Sequence, residues 1–574
     1  MRKIYLQKMK MKKVLSLLMA GVLALCSYTA VSASENEINS PDSSSLIAGN
    51  YICFEEEQEG HFTTELKKGI LRIEDGRIAD ISDFEEDRED VLYLDDYCVI
   101  FPGLLDLHAH IEYSPVQLWE YTETEVPWDN RHEWISSAEE DEDVRTPQYV
   151  LRDSWEEPLK SGTPSGDIVQ YFSELQAAAG GTTYIQGYNE TEEYDAADSH
   201  AKLDLIRSSS DAEDTGRTEI KSLIQLFKPD AELDKEDPST YLPPIDTKDW
   251  NLIFRTDSVT GEEYVSQILS DIENGTSPGY LIHIAEGRAG NFLEEADSYS
   301  VKEFDCLKEE ILAGIREGRF TFEDVKNAHI NLIHACTCDL SNEETYDFIR
   351  DCGIGLIWSP VSNLMLYGDT PDFYDHLDDD DLLIGIGSDW SPSGSKNVWD
   401  ECRFAYDLMQ DNAARPENAA ESLLKACTIR ASRMIGNPDV GNIVPGSYAD
   451  LFILKGSEET GGSLETALNT FIGTDDSGVQ AVLCGGITIY GEEDFIRSVH
   501  GDEAFSSYGK YETPAEGLEN KYFLLPEFLR GSTLEDIYQE YLEMTEDAGI
   551  DLSMIRTTED PVYEAFIEEL KNLY

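Results

Sequence analysis

Eight short apolar runs, each about the length of one buried strand, dominate the middle of the chain. They are CVIFPGLLDLHAH (98–110), TTYIQGY (182–188), IKSLIQLF (220–227), NLIFRT (251–256), GYLIHIAE (279–286), HINLIHAC (329–336), GIGLIWSP (353–360) and LLIGIGSD (382–389). Runs with no polar face suit a parallel sheet covered on both sides. Between them, EEYVSQILSDIENG (262–275), KEFDCLKEEILAGIREG (302–318) and NEETYDFIRDCG (342–353) space apolar residues by three and four and stop at glycine, as covering helices do. Eight strands alternating with helices predict an α/β fold, a (β/α)8 TIM-type barrel. A doubly wound open sheet is the alternative, but no Gly-rich phosphate loop follows any run.

The flanks have a different texture. KKGILRIEDGRIADISDF (67–84) alternates apolar and polar residues on both sides of Asp75-Gly76, a hairpin signature, and GNIVPGSYADLFILKG (441–456) and VQAVLCGGITIYGEE (479–493) return to the same pattern. These features predict a small β-sandwich domain assembled from residues 46–100 and 435–494, interrupted by a barrel at 101–434. Residues 495–574 hold amphipathic stretches and are expected to form a helical C-terminal extension. The polar segment 111–178, with Trp119, Trp128, Trp134 and Trp155, follows the first strand and is expected to lie over the mouth of the barrel.

Acid outweighs base, 116 Asp and Glu against 43 Lys and Arg, for a formal charge of -73. Such a surface repels phosphate backbones and anionic lipid, so the expected partner is a small molecule rather than nucleic acid. The oligomeric state is not legible. The N-terminus places cationic KMKMKK (8–13) before apolar VLSLLMAGVLALCS (14–27) and small residues at VSAS (31–34). This order is that of a signal peptide spanning residues 1–33, cleaved after Ala33, giving a secreted or extracytoplasmic protein with no stable membrane insertion afterwards. Lipid attachment at Cys26 competes, but Leu25 is large where lipoprotein signals carry a small residue. The ten cysteines show no regular spacing in a chain too large to need stapling. Cys336 and Cys338 follow a histidine, yet a cysteine-based zinc deaminase needs a Pro-Cys-x-x-Cys pair, which does not occur.

The polar residues at the strand ends carry the chemistry. On a strand, His108 and His110 project to one face, and two imidazoles so placed can share an ion; alone, the pair equally fits exposed or core histidines. His283, His334 and Asp389 close three further strands, so four of the ten histidines fall at expected strand ends. His61, His132, His200, His329, His376 and His500 share no such pattern, with His132 a faint candidate in the mouth loop.

PGLLDLHAH (102–110), GGTT (180–183), HIAE (283–286), HA (334–335), SPVSNLML (359–366), GSDW (387–390) and PGSYADLFIL (445–454) occur in an order that resembles the amidohydrolase superfamily. The similarity spans roughly residues 65–490 and is closest to its mononuclear branch, which includes guanine deaminase, cytosine deaminase and the triazine chlorohydrolases. The resemblance implies that His108, His110, His283 and Asp389 hold one divalent metal ion, zinc first and iron second. It implies that Glu286 shuttles protons and that His334 leans on the water or the leaving atom, with Asp389 also able to accept a proton.

Such an ion lowers the pKa of water from roughly 15.7 to about 7, and a carboxylate near it but not bound to it is suited to move protons. The expected reaction is hydrolysis of a non-peptide C–N bond, by deaminating a heterocycle or opening an amide. The alternative reading of Glu286 is a helix-start carboxylate serving its local dipole. Asn363 is expected to hold backbone near the site, and Arg131 to grip a carboxylate, stack on a ring or simply pack its loop. Relatives with two ions bridge them by a modified lysine after the fourth strand; the assigned fourth strand has none, and Lys228 ends the assigned third. A two-metal hydrolase of dipeptide-like or acylated amino acids is therefore one alternative. A non-catalytic solute-binding protein on the same fold is another, although a binder needs no proton shuttle. N-terminal sequencing of the native protein should begin at Ser34; an intact Met1, Met9 or Met11 would overturn the export reading.

Overall fold

The computed structural model describes residues 45–58, 60–110, 116, 118–119, 128–135, 137, 143–147, 165–186, 205–208, 221–223, 261–292, 295–410, 416, 418–510, 517–525, 533–536 and 539. The leader with Ala33 and Cys26, the run 251–256 and Lys228 lie outside the described residues. Among those described, no helix is long and apolar enough to cross a membrane.

Parallel strands form two arcs. Leu104–Asp106, Thr182–Ile185 and Arg207–Ser208 make one, and Lys221–Leu223, Tyr280–Ile284, Ile330–His334, Gly355–Trp358 and Leu383–Ile386 make the other. The first and last strands approach each other through a parallel bridge between Ala109 and Asp389, where the Asp389 amide donates to the His108 carbonyl at 2.7 Å. Helices Ser298–Glu317, Glu343–Cys352 and Val398–Gln410 pack outside the second arc. The apolar interior holds Leu105, Leu107, Tyr184, Leu281, Ile333 and Ile357, one layer beneath the strand ends that carry the polar residues.

Three expectations about the strands change. The run at 220–227, assigned to the third strand, contributes Lys221–Leu223 directly beside Tyr280–Ile284 and so occupies the fourth position. The third position belongs to Arg207–Ser208, paired with Tyr184–Ile185. Two residues of a polar IRSS stretch carry no apolar run, which is why periodicity passed over them. The run 98–110 also divides: Cys98–Pro102 pairs antiparallel with Leu451–Lys455, and only Leu104–Asp106 enters the parallel arc. Gly103 makes the handover, because a Cβ there would stand 2.2 Å from Thr183 Oγ1.

Both flanks enter one ten-stranded sheet. Ser45–Gln58, His61–Glu74 and Arg77–Asp83 form a meander whose turn at Asp75 and Gly76 has φ of 51° and 73°, the left-handed pair a two-residue hairpin requires. Leu451–Lys455, Val479–Cys484 and Ile487–Glu492 continue the sheet on the other side of Cys98–Pro102. The C-terminal segment departs from the all-helical expectation. After helix Glu493–Ala504, Tyr508–Gly509 and Lys521–Leu524 add two strands to the sheet edge. The amphipathic stretch at 560–574 lies outside the described residues. Nor is 111–178 loop throughout, since Ser165–Ala179 is a helix that buries Tyr171, Phe172 and Leu175.

Thr183 is buried and cannot swing aside. Gly103→Ala should therefore destabilise the protein by about 1–3 kcal/mol, the usual scale of overpacking, measured by urea denaturation; an unchanged midpoint would contradict the close approach.

Candidate active site

His108 and His110 stand just beyond the first strand, and His283 on the fifth. The Nε2 of His283 lies 3.1 Å from that of His108 and 3.2 Å from that of His110. On the other side, Asp389 Oδ1 lies 3.2 Å and 3.3 Å from the same two nitrogens. All four side chains are buried.

A hydrogen bond behind the His108 ring establishes what its inner nitrogen presents. Ser359 Oγ donates to the Gly387 carbonyl at 2.8 Å and so accepts from His108 Nδ1 at 2.6 Å. His108 Nε2 therefore faces the cluster as a lone pair. Burial pushes His108 down to about 4 and His283 well below the usual imidazole range, so both are neutral near pH 7. Burial alone would raise Asp389, but His108 and His110 outweigh it and hold its carboxyl well below the usual carboxylate range.

Two neutral imidazoles, the ring of His110 and an ionised carboxylate, gathered at hydrogen-bond distances, suit a cation. For ligand bonds of about 2.0–2.1 Å, ligand atoms stand roughly 2.9–3.4 Å apart, the spacing found here. The residues therefore fit the ion that the resemblance implies.

Three residues beside this cluster have other work. His334 would follow Leu332 toward the outer helices if the strand alternation continued, since Ile333 takes the interior face. A left-handed backbone at His334 (φ 62°) breaks the alternation, and Asn363 Oδ1 accepts from its Nδ1 at 3.0 Å. Its Nε2 then stands 3.7 Å from Glu286 Oε2 and 4.0 Å from Asp389 Oδ2. Asn363 thus orients a ring, not the backbone. Ser362 Oγ donates to Asp389 Oδ2 at 2.6 Å.

Glu286 follows the fifth strand and is not a helix-start residue: the next helix begins at Ser298. Its Oε2 pairs with Arg131 at 2.9 Å and its Oε1 accepts from the Tyr367 hydroxyl at 2.7 Å. Burial opposes its ionisation, yet His334 and Arg131 together hold it below the usual carboxylate range. It is a charged carboxylate beside the cluster, with neither oxygen given to the His108, His110 and His283 group.

Arg131, Trp134 and His132 come from the short helix Arg131–Trp134, in the segment whose role was open. Arg131 grips the protein's own Glu286, with its guanidinium 5.9 Å from the Trp134 ring. His132 is a packing residue: its ring meets that of Tyr299 edge to face and its Nε2 lies 3.6 Å from Glu303. Sequence reasoning missed Ser359, Ser362 and Tyr367 as partners of site residues. The first two lie inside SPVSNLML, whose place after a strand was the available signal; Tyr367, just beyond it, gave none. It also missed Asp106, a buried carboxylate pushed up to about 7 by burial, which accepts from the amides of His108 and Ser388 and braces the first strand against the last.

The amidohydrolase family model matches residues 301–489. A 5'-deoxyadenosine deaminase of Methanosarcina mazei is 22% identical over 396 residues, 68% of this chain and 80% of that protein. A 5'-deoxyadenosine deaminase of Methanopyrus kandleri is 25% identical over 402 residues, 68% of this chain and 81% of that one. The solved structure of a triazine hydrolase variant superposes with a TM-score of 0.51 at 15% identity, covering 88% of this chain and 99% of that chain. The shared fold is a TIM barrel. These matches support the amidohydrolase superfamily for this chain.

Replacing His108, His110, His283 or Asp389 by Ala should each empty or strongly weaken the metal site, read as ions per chain by elemental analysis. Ser359→Ala should lower metal affinity by roughly 10- to 100-fold through loss of the ring's orienting partner; unchanged affinity would remove Ser359 from the site.

Proposed function

We propose that the protein is a metal-dependent hydrolase of non-peptide C–N bonds that deaminates an adenosine-like heterocycle, with one divalent ion, zinc before iron, held by His108, His110, His283 and Asp389. The observation that carries this reading is Glu286: an ionised, buried carboxylate facing His334 at 3.7 Å and set apart from the ligand cluster. The relatives named as 5'-deoxyadenosine deaminases support a purine nucleoside as substrate.

The net reaction adds water across the carbon bearing the amine, breaks that C–N bond and releases ammonia, leaving a carbonyl. When bound, the ion supplies the Lewis acidity that makes water nucleophilic near neutral pH. Glu286 Oε2 takes one proton from the attacking water and passes it to the ring nitrogen, and the water's second proton goes to the leaving amine, which departs as ammonia. Asp389 Oδ2, held by Ser362, is the second acceptor, and His334 Nε2 steadies the oxygen that gains charge. The leader sequence supports export of the enzyme.

A second reading has one observation behind it. Because Lys221–Leu223 is the fourth strand, Lys228 follows the fourth strand and not the third, which is where two-metal relatives carry a bridging lysine. Elemental analysis separates the readings: two ions per chain, one of them lost in Lys228→Ala, would establish the two-metal form. Ammonia release should be fastest with 5'-deoxyadenosine in a panel that includes guanine, cytosine, a hydantoin and an acyl-amino acid. Hydrolysis of the acyl-amino acid alone would overturn deamination, and retention of solute without turnover would favour a binding protein.

Glu286→Gln should keep its metal and lose turnover by about 100- to 10,000-fold, with KM changing far less, the scale expected when a general acid–base group is removed. Loss of metal in that variant would make Glu286 a ligand instead.

A further inference from the structure

A carboxylate that shuttles a proton has two oxygens, and the surroundings of Glu286 distinguish them. Trp134 Nε1 lies 2.8 Å from the Tyr367 hydroxyl. An indole N–H only donates, so the hydroxyl oxygen accepts there, and its single hydrogen is left for Glu286 Oε1 at 2.7 Å. The chain from Trp134 through Tyr367 to Glu286 therefore runs one way. All three side chains are buried, and Tyr367 is fully enclosed at the end of helix Pro360–Tyr367.

The short helix that supplies Trp134 is tied to the strand end that supplies Glu286. The Arg131 amide donates to the Glu286 carbonyl at 3.1 Å, and the Arg288 amide donates to the Asp129 carbonyl at 2.8 Å. Oε2 has different company: Arg131 at 2.9 Å and His334 Nε2 at 3.7 Å.

We propose that Tyr367 is a positioning residue whose hydroxyl, aimed by Trp134, occupies Glu286 Oε1 as a standing donor and confines the transferable proton to Oε2, the oxygen facing His334. A proton on Oε1 would set its hydrogen against that of Tyr367, or turn the Tyr367 hydrogen against the Trp134 N–H, and among buried groups either arrangement leaves a donor without an acceptor. This inference rests on Glu286 being the proton shuttle.

The groups facing Glu286 are Arg131 from the loop helix, His334 at the end of the sixth strand and Cys336 just after it, Tyr367 from its helix and Asp389 after the eighth strand. The Tyr367 bond favours the charged carboxylate, so its removal raises the Glu286 pKa. Activity that needs ionised Glu286 then fails at a higher pH on acidification.

The test uses full-length, metal-loaded protein and 5'-deoxyadenosine. Tyr367→Phe should lower kcat by roughly 10- to 100-fold with KM within about threefold, and move the acid limb of kcat up by about one pH unit. Trp134→Phe should produce a smaller loss in the same direction, because the hydroxyl remains but is no longer aimed.

A second readout needs no turnover. Among the eight tryptophans, the Trp134 indole N–H signal, assigned by its loss in Trp134→Phe, should shift upfield in Tyr367→Phe and stay in place in Glu286→Gln, whose side-chain carbonyl can still accept from Tyr367. Wild-type kcat and acid limb in Tyr367→Phe, beside an inactive Glu286→Gln, would overturn the relay alone. A fully active Glu286→Gln would overturn the shuttle on which it rests. If Tyr367→Phe does not fold, Trp134→Phe kinetics decide: an unchanged kcat and acid limb overturn the relay, and a shifted pair supports it.

Discussion

The centre of this protein depends on holding neutral imidazoles and a charged carboxylate face to face. Ring nitrogens 3.1–3.2 Å apart, that of His108 with its lone pair directed inward, suit something positive between them. The chain sustains the arrangement from behind. Ser359 occupies the outer nitrogen of His108 and Asn363 that of His334, so each ring is locked with its other nitrogen toward the site. Burial then keeps His108 and His283 neutral. A protonated imidazole would be a poorer ligand and a worse neighbour.

Bringing these side chains together requires backbone that regular strands do not supply. Ala285, His334, Ala335 and Asp389 all adopt positive φ. A non-glycine residue in that region costs about 1–3 kcal/mol, so the four together form a considerable local burden at one end of the strands. The apolar layer beneath, with Leu281, Ile333 and Ile357, and the buried helices outside offset it. The strained residues turn side chains from adjacent strands toward one point, and their cost is part of how the site is built.

Around Glu286 the problem is reversed, since a buried carboxylate needs donors. They arrive from two directions, Arg131 on a short helix after the first strand and Tyr367 on a helix after the seventh. Their joint effect, with His334, is to keep the group charged despite burial. The segment expected to lie over the mouth of the barrel thus also helps to keep Glu286 charged. Its helix is short, but the ties from Arg131 to Glu286 and from Arg288 to Asp129 fasten it to the strand end.

Local pattern determined much of this protein. Apolar runs without a polar face specify buried strands, and polar residues closing those runs put His108, His110, His283, His334 and Asp389 at strand ends before any coordinates are known, because alternation and strand length are properties of consecutive residues. The hairpin at Asp75-Gly76 was legible for the same reason. What consecutive residues do not encode was decided by tertiary structure. Arg207–Ser208 is a strand only because Tyr184–Ile185 offers it a ladder, and that displaced the third and fourth positions. Lys521–Leu524 joined the sheet because Ile487–Glu492 offered it a ladder. Ser359 reaches His108 across 251 positions, Tyr367 reaches Glu286 across 81 and Trp134 reaches Tyr367 across 233. A hydrogen bond is set by distance and direction in space, so these partners, and with them the tautomer of His108 and the charge of Glu286, exist only once the chain has closed on itself.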